Sequence, residues 1–268
     1  MVGFGHERWN TVKATYRAWW EGSLDRPLLP VVVEGRDPGR PRPAAPRLSQ
    51  ATCADLSIPS AALIDRLDYE FSCRWYLGDA FPFLNLDAFG PGVMAAFLGA
   101  RLDNSTGQVW FHPHRDVPLH DLHLVYDPAN PWFCRIKDIC AAAMKRWQGE
   151  VLVGMTDLGG NLDVLSAFRP GKSLPLDLFD HPQDVRRLMW EVHELWHRFF
   201  SEINDVLQPV NRGYSAWCGI YSECPFYILQ CDFAYMISPD MFAEFALPEL
   251  AASSRRLDRC FYHLDGRG

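Results

Sequence analysis

A chain of 268 residues, 48% apolar and 13% aromatic, is long enough to bury a large core, and its length suits one α/β domain. Its net charge of -7, with no run rich in lysine and arginine, excludes a nucleic-acid backbone or an anionic membrane surface as a natural partner. The opening MVGFGHERWN lacks the basic, apolar and small-residue pattern of a secretory leader, and no apolar run reaches the roughly 18 residues of a membrane span, so a cytoplasmic protein is expected.

In chain order, the first legible stretch is GRDPGRPRPAAPRLS at 35–49, rich in proline and arginine and therefore a loop. It reads either as a solvated surface segment or as a basic flap in which Arg36, Arg40 and Arg42 grip an acidic substrate through carboxylate forks. Next, WFHPHRDVPLHDLHLVY carries His112, His114, His120 and His123. The first pair, two residues apart, would share one face of a strand and could chelate a metal, but Pro113 and Pro118 make the stretch resemble a hairpin insertion with exposed histidines. Residues 1–130 are thus expected to be irregular and β-rich, and 131–268 to be regular strand-helix units.

Asn130-Pro131 opens a helix with a side-chain acceptor and a residue needing no N–H partner; it runs through IKDICAAAMKRW to Gly149, a left-handed stop. EVLVGM then reads as a buried strand ending in Thr156-Asp157-Leu158-Gly159-Gly160-Asn161. Asp180 is expected to cap a long helix in which Val185, Leu188, Met189, Val192, Leu195, Trp196, Phe199 and Ile203 form an apolar stripe. GYSAWCGIY leads into the buried strand YILQCDF, Ser238-Pro239 opens another helix, and CFYHL is a further strand. The eight cysteines form no C-x-x-C pair; even Cys218, Cys224 and Cys231 miss the spacing of a structural zinc site, and buried reduced thiols are expected.

Strands alternating with helices predict parallel pairing, and neither G-x-G-x-x-G nor G-x-x-x-x-G-K-[ST] occurs to favour a nucleotide fold. The expected architecture is an α/β protein of (β/α)8 TIM-barrel type. On that fold Asp157, Asn161, Trp217, Asp232, His263 and Asp265 gather at one mouth, a pocket of carboxylates and an imidazole.

The stretches TDLGGNLDVLSAFRPGKSLPLDLFDHPQDVRRLMWEVHELW, LQCDFAYMISPDMFAEFALPEL and FYHLDG, in that order, resemble the uroporphyrinogen decarboxylase superfamily with its cobalamin-linked methyltransferase branch. WWEGSLDRPLLPVVVEG resembles the family's opening segment. The resemblance implies a TIM barrel and two activities. One is a corrinoid-linked methyltransferase served by a corrinoid protein; the other is a decarboxylase without a cofactor acting on an acidic tetrapyrrole or another carboxylate.

The methyltransferase branch binds zinc through His-x-Cys and a later cysteine. Here the position reads His263-Leu264-Asp265, which keeps the histidine and replaces the soft thiolate by a harder oxygen. The decarboxylase branch carries M-R-Q-A-G-R after its first strand, whereas this chain has VVVEGRDPGR. The methyltransferase is the first reading, with Asp157, Asp232 and Asp265 as catalytic carboxyls, His263 and Asp265 as metal ligands, and Arg36, Arg40, Asn161, Trp217 and Tyr221 binding substrate. A barrel that has lost its chemistry and serves for assembly is the reading from another class. Family members continue past the H-x-D-G position, so a barrel lacking its last strands, completed in a homodimer, is also expected.

Overall fold

The computed structural model describes residues 2–265. The chain begins with helix α1 (His6–Trp20), the ribbon strand β1 (Pro30–Glu34), helix α2 (Ser60–Ser72), and strands β2 (Arg74–Gly78) and β3 (Phe83–Leu84). A short helix α3 (Met94–Phe97) precedes a hairpin of β4 (Arg101–Asp103) and β5 (Trp110–His112). Helix α4 (Pro131–Trp147), strand β6 (Leu152–Val153), helices α5 (Asn161–Phe168), α6 (Ser173–Asp180) and α7 (Pro182–Leu207), and strand β7 (Phe226–Gln230) follow. The last elements are α8 (Pro239–Met241), α9 (Leu247–Arg256) and β8 (Arg259–His263).

The helix signals of the second half act as the sequence predicts. Asn130 Oδ1 accepts the N–H groups of Trp132 (3.0 Å) and Phe133 (3.2 Å), with Pro131 at the first helical position. At the other end Gln148 takes the left-handed conformation together with Gly149, so the stop spans two residues. Val185, Leu188, Met189, Val192, Trp196, Phe199 and Ile203 of α7 are buried as their spacing demands, and Leu195 at the edge of the stripe is half-buried against the core. The start of that helix differs. Asp180 ends α6, and α7 begins at Pro182, because a proline cannot continue the preceding helix and holds His181 out of helical geometry.

The parallel pairs are β3 with β6 and β7 with β8, the latter in register from Phe226↔Arg259 to Gln230↔His263. Segment 213–217 lies alongside the end of β6, where Met155 N–H donates to Ser215 O at 2.9 Å. The α/β class therefore agrees with the sequence. The strands differ from a closed barrel, since among the described residues they pair only two by two. One reason lies in β1, which pairs antiparallel with β2 as a ribbon exposed along its whole length, so VVVE does not join the parallel strands. The hairpin also lies earlier than the histidine-rich stretch suggests: only Trp110–His112 is strand, and the prolines that follow remove ladder donors. No helix of the described residues is long and apolar enough to cross a membrane.

The end of the molecule where α4 stops and β6 starts is held by arginine and aromatic contacts. Trp9 Nε1 of α1 donates to Glu150 O (3.1 Å), and Gly3 N donates to the Glu150 carboxylate (2.6 Å). Arg36 Nη1 donates to Val2 O at 2.6 Å. Arg40 pairs with Asp65 and Asp68, and Asp68 also accepts from Arg146 (2.7 Å) and Trp147 Nε1 (3.0 Å). Arg36 and Arg40, expected to flap over a substrate, are thus committed to the opposite end of β6 from Asp157, because each finds a carbonyl or carboxylate nearby. Tyr221, expected in the pocket, is a core residue: it is buried among Trp9, Tyr16 and Phe81, and its hydroxyl donates to Arg212 O at 2.9 Å.

Burial opposes the charge of Asp68, but Arg146 and the Trp147 N–H outweigh it and hold the carboxyl below the usual range. Asp68→Asn should lower unfolding free energy by about 1–3 kcal/mol at neutral pH in denaturant titrations. A carboxyl with a depressed folded pKa stabilises above its unfolded value, about 3.9, and that contribution is lost as pH falls through the lower folded value. The gap between wild type and variant should therefore narrow below about pH 4.

Candidate active site

Strands β6, β7 and β8 deliver their C-terminal ends to one side of the molecule, and the polar residues following them meet there. Asp157, four residues beyond β6, is buried; its Oδ1 accepts Gly159 N–H (2.8 Å) and Gln230 Nε2 (3.0 Å), which ties the β6 loop to the end of β7. Tyr227 Oη accepts Leu158 N–H at 2.8 Å beneath the same loop. Asp163, in the first turn of α5, accepts Phe233 N–H (2.7 Å) and Asp232 N–H (3.1 Å), so it clamps the loop after β7. Glycine is required between these clamps. A Cβ at Gly159, whose φ is +81°, would lie 2.7 Å from Gly92 Cα, and one at Gly160 would strike Gln230 O.

These loops border a cavity of about 730 Å³, with Asp163, Gln230 and Asp232 on one side and Trp110, Phe111 and His112 of the hairpin on the other. Phe233 and Met236 add apolar surface, and no lysine or arginine lines it among the described residues. Burial is the main reason the Asp163 carboxyl is pushed up to about 7 and Asp157 to about 6; the neighbouring Asp232 charge adds to both. Asp232 is also raised, first by burial, with His263 opposing and Asp265 reinforcing.

The residues expected at the mouth separate into groups. Asp232 lines the cavity, and Asp157 lies behind Gln230. His263, at the end of β8, sits edge-to-face with Trp217 at 5.3 Å, and Asp265 is exposed beyond it; Gly266 of the same motif lies outside the described residues. Trp217 O accepts from Asn85 Nδ2 at 2.6 Å. Asn161 does not face the cavity: it opens α5 and its amide turns to Met189 O of α7 at 3.4 Å. No third donor joins His263 and Asp265 among the described residues. Among the described residues no three of His, Cys, Asp and Glu cluster as metal ligands, which covers His263 with Asp265, the hairpin histidines and the cysteines. The cysteines are free thiols, and Cys53, Cys140 and Cys231 are buried.

Two contributors escape the sequence reading. Asp163 looks there like an ordinary first-turn acid, and Gln230 like the last residue of an apolar strand. The signal that finds both is their position: each lies next to a strand-end loop that already carries an aspartate.

No family model matches the chain, and no curated protein matches it. Among solved structures it is similar to a methyltransferase from Methanosarcina mazei, with a TM-score of 0.53 over 85% of this chain and 67% of that one, at 14% identity. The chain has a methyltransferase-like fold. At that identity the likeness concerns the arrangement of elements alone, and the site must be argued from its own residues.

The raised carboxyls give a stability signature. Asp163 binds its proton more tightly folded than unfolded, so its contribution is full below about pH 4 and is lost as pH rises through about 7. Asp163→Asn should flatten the decline of melting temperature between pH 5 and pH 8 relative to wild type, measured by circular dichroism.

Proposed function

We propose that this chain is a methyltransferase of the uroporphyrinogen decarboxylase superfamily, with its parallel strands laid out in the (β/α)8 manner and the cavity beside Asp163 as its substrate pocket. The observation that carries the reading is a carboxyl with a pKa of about 7, held by two backbone N–H groups at the C-terminal ends of parallel strands, on the wall of an otherwise largely apolar cavity. Such a group can take a proton from an attacking nucleophile or give one to a departing heteroatom near neutral pH. Asp157 acts as a positioning residue by fixing Gln230, and Asp232 supplies charge at the wall.

In this reading a corrinoid is a co-substrate brought to the cavity's opening by a carrier protein, and the methylated small molecule occupies the cavity itself. The chemistry is assigned to the carboxyls, since no third donor joins His263 and Asp265 among the described residues. Decarboxylation of an acidic tetrapyrrole is the weaker reading. It needs cations facing several carboxylates, whereas among the described residues the cavity lining has no lysine or arginine and Arg36 and Arg40 are held elsewhere.

The test supplies methylcobalamin and a thiol in one arm and uroporphyrinogen in the other. Methyl transfer, followed by the change in corrinoid absorbance, is expected in the first; Asp163→Asn should slow it by roughly 10²–10⁴-fold, and Arg36→Ala by less than about threefold. Carbon dioxide release in the second arm would establish the decarboxylase instead, and silence in both would favour the assembly module.

A further inference from the structure

We infer that the cavity takes a compact methylated ammonium cation, with Trp110, Phe111 and Phe233 as its aromatic wall and Asp163 and Asp232 as its counter-charge. The inference rests on the reading that this cavity is the substrate pocket, and names the class of ligand it accepts.

Charge is the first argument. Asp163 and Asp232 line the cavity, Asp157 and Asp265 stand close enough to act on Asp232 or be acted on by it, and His112 and His263 are the nearby basic side chains. Among the described residues no guanidinium or ammonium lines the space to balance the carboxylates.

Hydrogen bonding is the second. Both partners of the Asp163 carboxylate are backbone donors, the pattern of an ionised carboxylate, and Asp232 Oδ1 is buried with no hydrogen-bond partner among the described residues. An acceptor left bare in an apolar setting is costly unless a charged or donating group meets it. An anionic ligand would add to that imbalance, and a neutral one would leave it.

The wall chemistry decides which cation. Aromatic faces attract a cation through the ring quadrupole, and they do so best for a weakly hydrated one. Val109, Ala95, Ala167 and Met236 add apolar surface that methyl groups fill, and the exposed lining is mostly apolar, with Gln50, Gln108, Ser166 and Gln230 as its uncharged polar side chains. A metal ion would need more oxygen ligands than this surface provides, and a bare ammonium would leave N–H groups unpaired. A quaternary or tertiary methylammonium meets both conditions.

Isothermal titration of the full chain at pH 8 with choline, with its neutral isostere 3,3-dimethylbutan-1-ol and with succinate tests this. Choline should bind at least tenfold more tightly than the isostere, and succinate should not bind. Asp232→Asn and Trp110→Ala should each weaken choline at least fivefold with the melting temperature unchanged, as Trp110 is largely exposed and Asp232 lends no side-chain hydrogen bond to the fold. Equal binding of the isostere, stronger binding of succinate, or no choline binding would overturn the inference. The readout needs no turnover. Choline binding without methyl transfer would refute the activity alone, and methyl transfer without choline binding would refute the ligand class alone.

Discussion

The site depends on two carboxylates that act as backbone clamps. Asp157 holds Gly159 N–H and the Gln230 amide, and Asp163 holds the N–H groups of Asp232 and Phe233, so the loops after β6 and β7 are fixed to each other through acids rather than through packing alone. Backbone amides satisfy the hydrogen-bonding capacity of a buried carboxylate while carrying no full positive charge. The cost of burial then appears as raised proton affinity, and the cavity inherits it.

The rest of the chain separates this acidic end from a basic one. Arginines 36, 40 and 146 are tied to carbonyls and carboxylates around the end of α4, where Trp147 and the aromatic residues of α1 seal the floor. Long helix α7 closes the flank, burying an apolar stripe and laying its outward charges into ion pairs such as Arg187 with Glu191. The face of α7 toward α9 is less ordinary. His193 is buried beside Ser253 and Glu249, a polar contact outside the apolar stripe. With these arginines held at the floor, no lysine or arginine among the described residues lines the cavity at the mouth.

Much of the fold's second half was legible because its signals are local. Asn130-Pro131, the α7 stripe and the apolar runs of β6 to β8 depend on neighbours within a few residues, and the structure keeps them. The first half was less legible. VVVE has the composition of a buried strand, yet it forms an exposed antiparallel ribbon with β2, a pairing across some forty residues that no short pattern encodes. The helix α1 was missed because its buried face, Trp9, Val12 and Tyr16, sits in a weakly patterned segment rich in charge.

The same division runs through the site. From sequence alone came the class of fold and the placing of Asp157, Asp232 and His263 at strand ends, because each follows from residue type and spacing along one strand or helix. Tertiary structure decided that Asp163 and Gln230 join them, that Asn161 turns to α7, that Tyr221 is core, and that Arg36 and Arg40 lie at the far end of β6. Those outcomes depend on which distant backbone donor or carboxylate each side chain meets first, and that is a property of how the elements pack.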